Sequence, residues 1–477
     1  MLKIEEQPKI HFRSSKGFCL ASLSGLLTIL YCCVVVAHSE PRSTRAHDKQ
    51  KRSGTHGAPS IIANARGFGT QTPAGSGRHL SPPHTSILTV STLHDSGPGS
   101  LRSCIEHTTP RTCVFEVGGT IALRAPLRIR SPYITVAGQT SPSPGITITG
   151  SGLAIETHDV LLQHLSIRPG DSPDGPSPQS RDGVSIGAAP PRAAFNVVLD
   201  HLSVSWAIDE NISTWHRLTH DVTIAHSIIA EGLYNSIHPK GAHSKGVMVG
   251  DGSQRITLIA NLIASNEERN PYVKPGTRTE VINNVVYGWG SRGGWSLCNI
   301  TNNEGNNAPV LLSFVGNTYI PGPWSFITRP IYARTLAKGS RILARDNRFM
   351  SPEIPISRDW DATFLPSIPF QLRSVPFRSP GRARMRSARA YEAVLKNAGS
   401  RPFDRSPIDA RIIREVKERT GSLKDCITGC ARAASPPPDP QSISLPLRLP
   451  ASPLADNNRD GYTNLENWLM DLARTGR

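Results

Sequence analysis

The sequence predicts an all-β chain, wound as a parallel β-helix and followed by short C-terminal helices, and three observations predict it. Between residues 67 and 350, short β-branched runs such as Val197–Leu199, Val222–Ile224, Ile256–Ile259 and Val281–Val286 are separated by Gly, Asn, Asp and Pro. Runs bounded by turn formers read as strands, and helical periodicity is hard to find there. Second, each run leads into one polar residue with apolar residues after it: His164 in VLLQHLSI, His201 in VVLDHLSV, His226 in VTIAHSII, Asn261 in TLIANLIA, Asn284 in VINNVVY, Asn317 in SFVGNTYI and Asn347 in LARDNRF. Asparagines stacked at such a turn bond one another and the neighbouring backbone, satisfying buried polar groups from coil to coil. Third, that residue recurs at irregular gaps of between 23 and 37 positions. A strict solenoid repeats evenly, whereas coils that share a core but differ in loop length do not. A β-sandwich with scattered Asn and His is the competing arrangement.

Ahead of the strands, Lys3, Lys9, Arg13 and Lys16 precede an apolar run from Gly17 to Ala37, after which Ser39, Glu40 and Pro41 return to polarity. Residues 1–40 therefore read as a signal peptide or, because the run is long, as a single N-terminal membrane anchor. Either one exports the rest, so a secreted or periplasmic protein is expected. Residues 41–66 are polar and basic without periodicity, as in a linker. Cys19, Cys32 and Cys33 fall in the leader, whereas Cys104 with Cys113 and Cys426 with Cys430 are close pairs. In an oxidising compartment such pairs read as local disulfides, buried thiols being the alternative. Cys298 is left over.

Beyond the strands, residues 351–431 are rich in Pro and Arg and carry two helix patterns. Tyr391, Val394, Leu395 and Ala398 lie on one helical face closed by Gly399. Ser406, Pro407 and Asp409 make a cap, first-turn proline and N3 acid ahead of Ile412, Ile413 and Val416. Residues 432–454 read as a Pro/Ser linker and 455–477 as a last small module. In that module Asp456, Asn458 and Asp460 occupy positions 1, 3 and 5 of an EF-hand-like loop, with Gly461 at the turn and Glu466 at position 11, so a second, structural calcium held by these residues is expected. Thr463 and Glu466 also spell a capping box, so a capped helix without an ion is the alternative.

The formal net charge is +16. A basic field attracts polyanions, and nucleic acid, anionic membrane and acidic polysaccharide all fit it. The histidines between 216 and 243 are irregularly spaced, so no histidine metal site is expected from them.

An ordered set of motifs narrows the choice. GFGTQTPAGSGR (67–78), DSGPGSLRSCIE (95–106), FEVGGTI (115–121), TVAGQTSPSPGITITG (135–150) and SIRPGD (166–171) are followed by RDGVSI (181–186), VVLDHLSVSWAIDENIS (197–213), KGVMVG (245–250), ERNPYVK (268–274) and INNVVYGWG (282–290). Over well more than half of its length the chain thereby resembles the pectate lyase family. The resemblance implies a right-handed parallel β-helix, acidic polysaccharide rather than nucleic acid as partner, and calcium as cofactor. No protein partner is implied, and a monomer is expected. Asp182 and Glu210 match the first and second calcium carboxylates, and Thr214 stands where the third is an Asp, a loss for which Asp209 or Asp200 can compensate. Arg269 matches the arginine base, Lys245 a lysine that holds substrate carboxylate, and Lys274 replaces a second substrate-binding arginine.

The implied chemistry explains these residue types. Eliminating a 4-O-linked galacturonate requires removal of a weakly acidic C5 proton, and a hard cation held by oxygen ligands stabilises the carbanion. Two other functions compete: a non-catalytic carbohydrate-binding β-helix, and a polygalacturonase-type hydrolase, whose paired-Asp signatures are absent.

Overall fold

Along each coil the chain lays down three short strands, and alternation of side chains decides which face is buried. In one coil Ala194–Asp200, Ser203–Ser205 and Glu210–Thr214 follow one another. Each pairs in parallel with the equivalent strand of the coils on either side. Repeated along the chain, this builds three sheets, called first, second and third in the order a coil visits them. The outcome is the predicted β-helix. These relations come from a computed structural model that describes residues 67–250, 252–291, 298–301, 308–326, 331–334, 336–350, 364–365, 376–378, 380, 385–435 and 442–476. The expected leader and first linker lie outside the described residues. Among those described, no helix is long and apolar enough to cross a membrane.

The interior is a stack of like on like. Leu162, Leu199, Ile224, Leu258, Val281 and Phe314 are register partners in successive coils of the first sheet, and all are buried. Each such side chain removed from water contributes roughly 1.5–3 kcal/mol, so aliphatic residues suffice where aromatics are few. Both close cysteine pairs, Cys104–Cys113 and Cys426–Cys430, are bonded.

At the turn from the first to the second sheet runs a polar ladder. The backbone N–H of Asn261 donates to Asn284 Oδ1, that of Asn284 to Asn317 Oδ1 and that of Asn317 to Asn347 Oδ1, each at 2.9 Å. The side-chain amides donate to Ile224, Leu258, Val281 and Phe314 carbonyls. Ser227 and not His226 continues this ladder, since the Ser227 N–H donates to Asn261 Oδ1 across 34 residues. The histidines therefore sit one place earlier than the sequence alignment of the coils expects. His164, His201 and His226 have φ of 55°, 53° and 48°, the left-handed position also held by Ala260 and Asn283. His and Asn both tolerate that conformation, which is why two adjacent polar columns look like one in sequence. Asn317→Ala should cost about 3 kcal/mol, because it strands the buried Asn284 N–H and Val281 C=O. Urea unfolding would measure this, and a change below ~1 kcal/mol would contradict the ladder's role.

His164 stacks on His201 at 4.9 Å, and its Nδ1 donates to Ser400 O at 2.7 Å. Burial, followed by the neighbouring His201 charge, pushes its pKa from 6.5 down to about 3. Between those values the unfolded chain takes up a proton that the fold refuses, so this contribution to stability is present above pH 6.5 and lost as pH falls. Between pH 7 and 5 the wild type should lose ~2 kcal/mol more than His164→Asn in urea titrations. Parallel losses in both proteins would rule out His164 as the source.

The C-terminal segments coat the cylinder. Helices Ser387–Asn397 and Pro407–Glu418 bury Val394, Leu395, Ile412, Ile413 and Val416 against outward residues of the second sheet such as Ile228, Leu262 and Val285. Part of the stretch expected as a free linker is a strand instead. Ile443–Ser444 pairs antiparallel with Val117–Gly118, where the second sheet's edge offers unpaired backbone groups.

Candidate active site

Because coils stack in register, residues far apart in sequence become neighbours when they hold the same place in their coils. The start of the third-sheet strand is such a place. Glu210 opens one strand, Lys245 is its partner on the next coil, and Lys245 in turn bridges to Glu268. One coil earlier the Gly183 N–H donates to Glu210 O at 2.9 Å, which sets Asp182 beside the same edge. Asp182, Glu210, Lys245 and Arg269 are thus brought together.

Asp182, Asp209 and Glu210 each present a carboxylate oxygen, and the three atoms lie within 4.8 Å of one another. Ser213 Oγ donates to Asp182 Oδ2 at 3.2 Å and itself accepts from Trp215 Nε1 at 2.8 Å. Lys245 Nζ lies 3.6 Å from Asp209 Oδ1. The Arg269 guanidinium forms an ion pair with Glu210, reaches Met248 Sδ at 3.2 Å and lies 5.7 Å from the Tyr272 ring centroid. Burial, and then the Asp209 charge, push the Asp182 carboxyl up to about 7.

Other expected residues stand elsewhere. Asp200, offered as a compensating ligand, ends a first-sheet strand and accepts from His201, His226 and Gln163 at 2.9, 2.8 and 3.0 Å. Although burial alone pushes its pKa up, those histidines hold it well below the usual carboxylate range, and it is not part of the trio. Asp209, the other candidate, is. Lys274 follows the far end of the third-sheet strand, with Nζ 5.9 Å from the Trp215 ring centroid. Five residues of strand, ~16 Å, separate that end from the Glu210 end. Thr214 is the register partner of Ile186 and Val249, both core residues, and is fully buried, so its side chain stacks with theirs toward the interior. Ser213 was not singled out by sequence, and His238 and His243 belong to the histidines between 216 and 243 from which no metal site was expected. The alternation Ile212-in, Ser213-out is the signal that could have found Ser213. Nothing in the spacing foretells the two histidines, which approach Asp209 to 3.6 and 3.7 Å.

A curated protein from Aspergillus terreus named probable pectate lyase C is 33% identical over 449 residues, spanning 88% of this chain and 96% of its own length. The chain belongs to the pectate lyase family. A pectate lyase C of the same designation from Aspergillus fumigatus is 30% identical across 81% of this chain and 89% of its own. For the Aspergillus flavus protein the match is 36% but spans about half of each, 51%. No protein-family model matches. Among solved structures, a pectate lyase bound to a hexasaccharide superposes with a TM-score of 0.51 at 14% identity, over 73% of this chain and 99% of that one. The major allergen from cedar pollen does so with 0.50 at 17%, over 70% and 92%. At such identities these two attest the fold alone. Family membership makes this pectate lyase relative an enzyme of the lyase class.

The acidic trio of this pectate lyase relative fits calcium on one observation: its donors are all carboxylate oxygens, gathered within 4.8 Å of one another. The C-terminal loop is a different case. Asp456 and Asp460 accept from the backbone N–H groups of Gly461 and Tyr462 at 3.0 and 2.9 Å, and Asn458 bonds Asp460. Glu466, expected as the loop's last ligand, turns inward instead. Its carboxylate accepts from the Thr463 N–H at 2.9 Å and pairs with Arg78. The capping box holds it there.

Proposed function

We propose that this protein is an exported polysaccharide lyase that cleaves pectate or polygalacturonate by calcium-assisted β-elimination, with Arg269 as the base. The observation that carries this reading is the single edge shared by Arg269, Lys245, Asp182 and the adjacent pair Asp209 and Glu210, drawn from successive coils. Asp182, Asp209 and Glu210 would hold the cation, which when bound acts as a Lewis acid toward the C5 carboxylate.

The remaining work falls to side chains of the chain. Lys245 orients a substrate carboxylate through its ammonium, which stands beside Asp209 at the mouth of the trio. Arg269 takes the C5 proton. Its pairing with Glu210 favours the charged guanidinium, so the base is released only when that carboxylate is engaged elsewhere. The Tyr272 ring and Met248 sulfur keep the guanidinium aimed along the edge. Two disulfides and the basic leader pattern support export.

The experiment is the ultraviolet absorbance of a 4,5-unsaturated uronide on polygalacturonate, with calcium and with chelator. Reducing ends without that absorbance would indicate hydrolysis, and neither product would leave a binding protein. Lys245→Ala should raise KM by roughly tenfold or more while changing kcat less, because a charge-assisted contact to the substrate is removed. Unchanged KM would remove Lys245 from substrate binding.

A further inference from the structure

The acidic trio has a neighbour of different chemistry. His238 and His243 stand in the loop between strands Ile228–Ala230 and Lys245–Val249, and both are buried. Backbone bonds fix that loop: the Gly241 N–H donates to His238 O at 3.0 Å, and the His243 N–H to Tyr234 O at 2.8 Å. The two imidazoles stack with centroids 3.5 Å apart and 26° between planes. His238 Nε2 lies 3.6 Å from Asp209 Oδ2, and His243 Nε2 lies 3.7 Å from Asp209 Oδ1. These separations are too long for direct hydrogen bonds. Among the described residues, neither His238 Nε2 nor Asp209 Oδ1 has a hydrogen-bond partner. A side chain as buried as His238, 4% exposed, rarely leaves a ring nitrogen idle.

We propose that His238, His243 and Asp209 form a second divalent-cation site, one that takes a first-row transition ion such as zinc and shares Asp209 with the acidic trio. One potential ligand atom from each of the three lies within 4.8 Å of the others. Two imidazoles with one carboxylate suit zinc, nickel or cobalt, whereas calcium takes oxygen. An outer contact prepares one of the ligands. His243 Nδ1–H donates to Gly241 O at 2.9 Å, which leaves the Nε2 lone pair facing Asp209. His238 is set the other way, with Nδ1 accepting from the Lys240 N–H at 3.2 Å, so ligation through Nε2 requires the ring proton to move to Nδ1 and that contact to be given up. Three protein ligands leave an open coordination position.

Sharing Asp209 has a consequence. A transition ion at the histidines draws Asp209 from the trio and repels the Lys245 ammonium, 3.6 Å from the same carboxylate oxygen. Occupancy of the histidine site therefore opposes calcium at the trio. The metal site itself does not rest on the lyase reading; only its inhibitory effect on turnover does.

The test is a titration of the chelator-treated full chain with Co²⁺, followed by its visible absorption. The expected result is one equivalent whose band weakens at least about tenfold in apparent affinity in His243→Gln and in His238→Gln. The band should be kept in Asp182→Asn, which alters only the trio, and added Ca²⁺ should displace Co²⁺ competitively in the wild type. A wild type that shows no band, or a band unchanged in both histidine variants, would overturn the site. Near-ultraviolet circular dichroism checks that each variant is folded, and the two single variants guard against one failing to fold. Zn²⁺ should slow uronide release in proportion to its occupancy. If no uronide forms under any condition, the lyase reading fails while the Co²⁺ titration still decides the site.

Discussion

Arg269→Ala is expected to lower uronide release by roughly 10²–10⁴-fold, the range over which a positioned base accelerates proton transfer. The guanidinium is paired with Glu210 beside the acidic trio, where a proton taken from the substrate would be received. Removal of the arginine also leaves Glu210, 3% exposed, without its cation, so some stability should be lost. Arg269→Lys separates the two effects. It keeps a positive charge beside Glu210 and should stay folded, yet remain at least about tenfold slow, because an ammonium does not reproduce the guanidinium's fork. Elimination at the wild-type rate in Arg269→Ala, with the fold intact by circular dichroism, would reject Arg269 as base.

Calcium withdrawal is the second large effect. Chelator should bring uronide release to background, and Asp182→Asn should weaken calcium binding by about a hundredfold, ~2.8 kcal/mol at 1.4 kcal/mol per tenfold. The same substitution should leave the metal-free protein no less stable. Folding already disfavours the charged form of Asp182, whose carboxyl is pushed up to about 7 by burial and by Asp209, and asparagine mimics the neutral form. Calorimetric calcium titration beside urea unfolding reads both quantities. A variant that binds calcium normally, or one that loses affinity only because it unfolds, would remove Asp182 from the site.

Much of this was legible in the amino-acid order. Strand runs, the asparagine ladder and the two helices after residue 385 follow from period-two burial, amide self-pairing and capping, all of which act over short stretches of chain. Asp182, Glu210, Lys245 and Arg269 were identified through motif resemblance, and their approach follows from coils stacking in register. What misled the reading were places where two environments favour the same residue type. The histidines of the left-handed column pass for ladder residues because His and Asn share a turn conformation. Glu466 suits both a calcium loop and a capping box, and the contact with Arg78, from the other end of the domain, decides between them.

Sequence by itself determined the winding of the chain, since each coil's apolar alternation and turn residues are local and repeat. Tertiary structure alone decided what the winding brings together: that Thr214 faces inward, that Asp209 rather than Asp200 completes the acidic trio, and that His238 and His243 lean on it. Those outcomes depend on which residues of separate coils share a level and on how a loop folds back across the edge. Stacking converts a small difference in loop length into a new set of neighbours, and no window of sequence shorter than two coils carries that information.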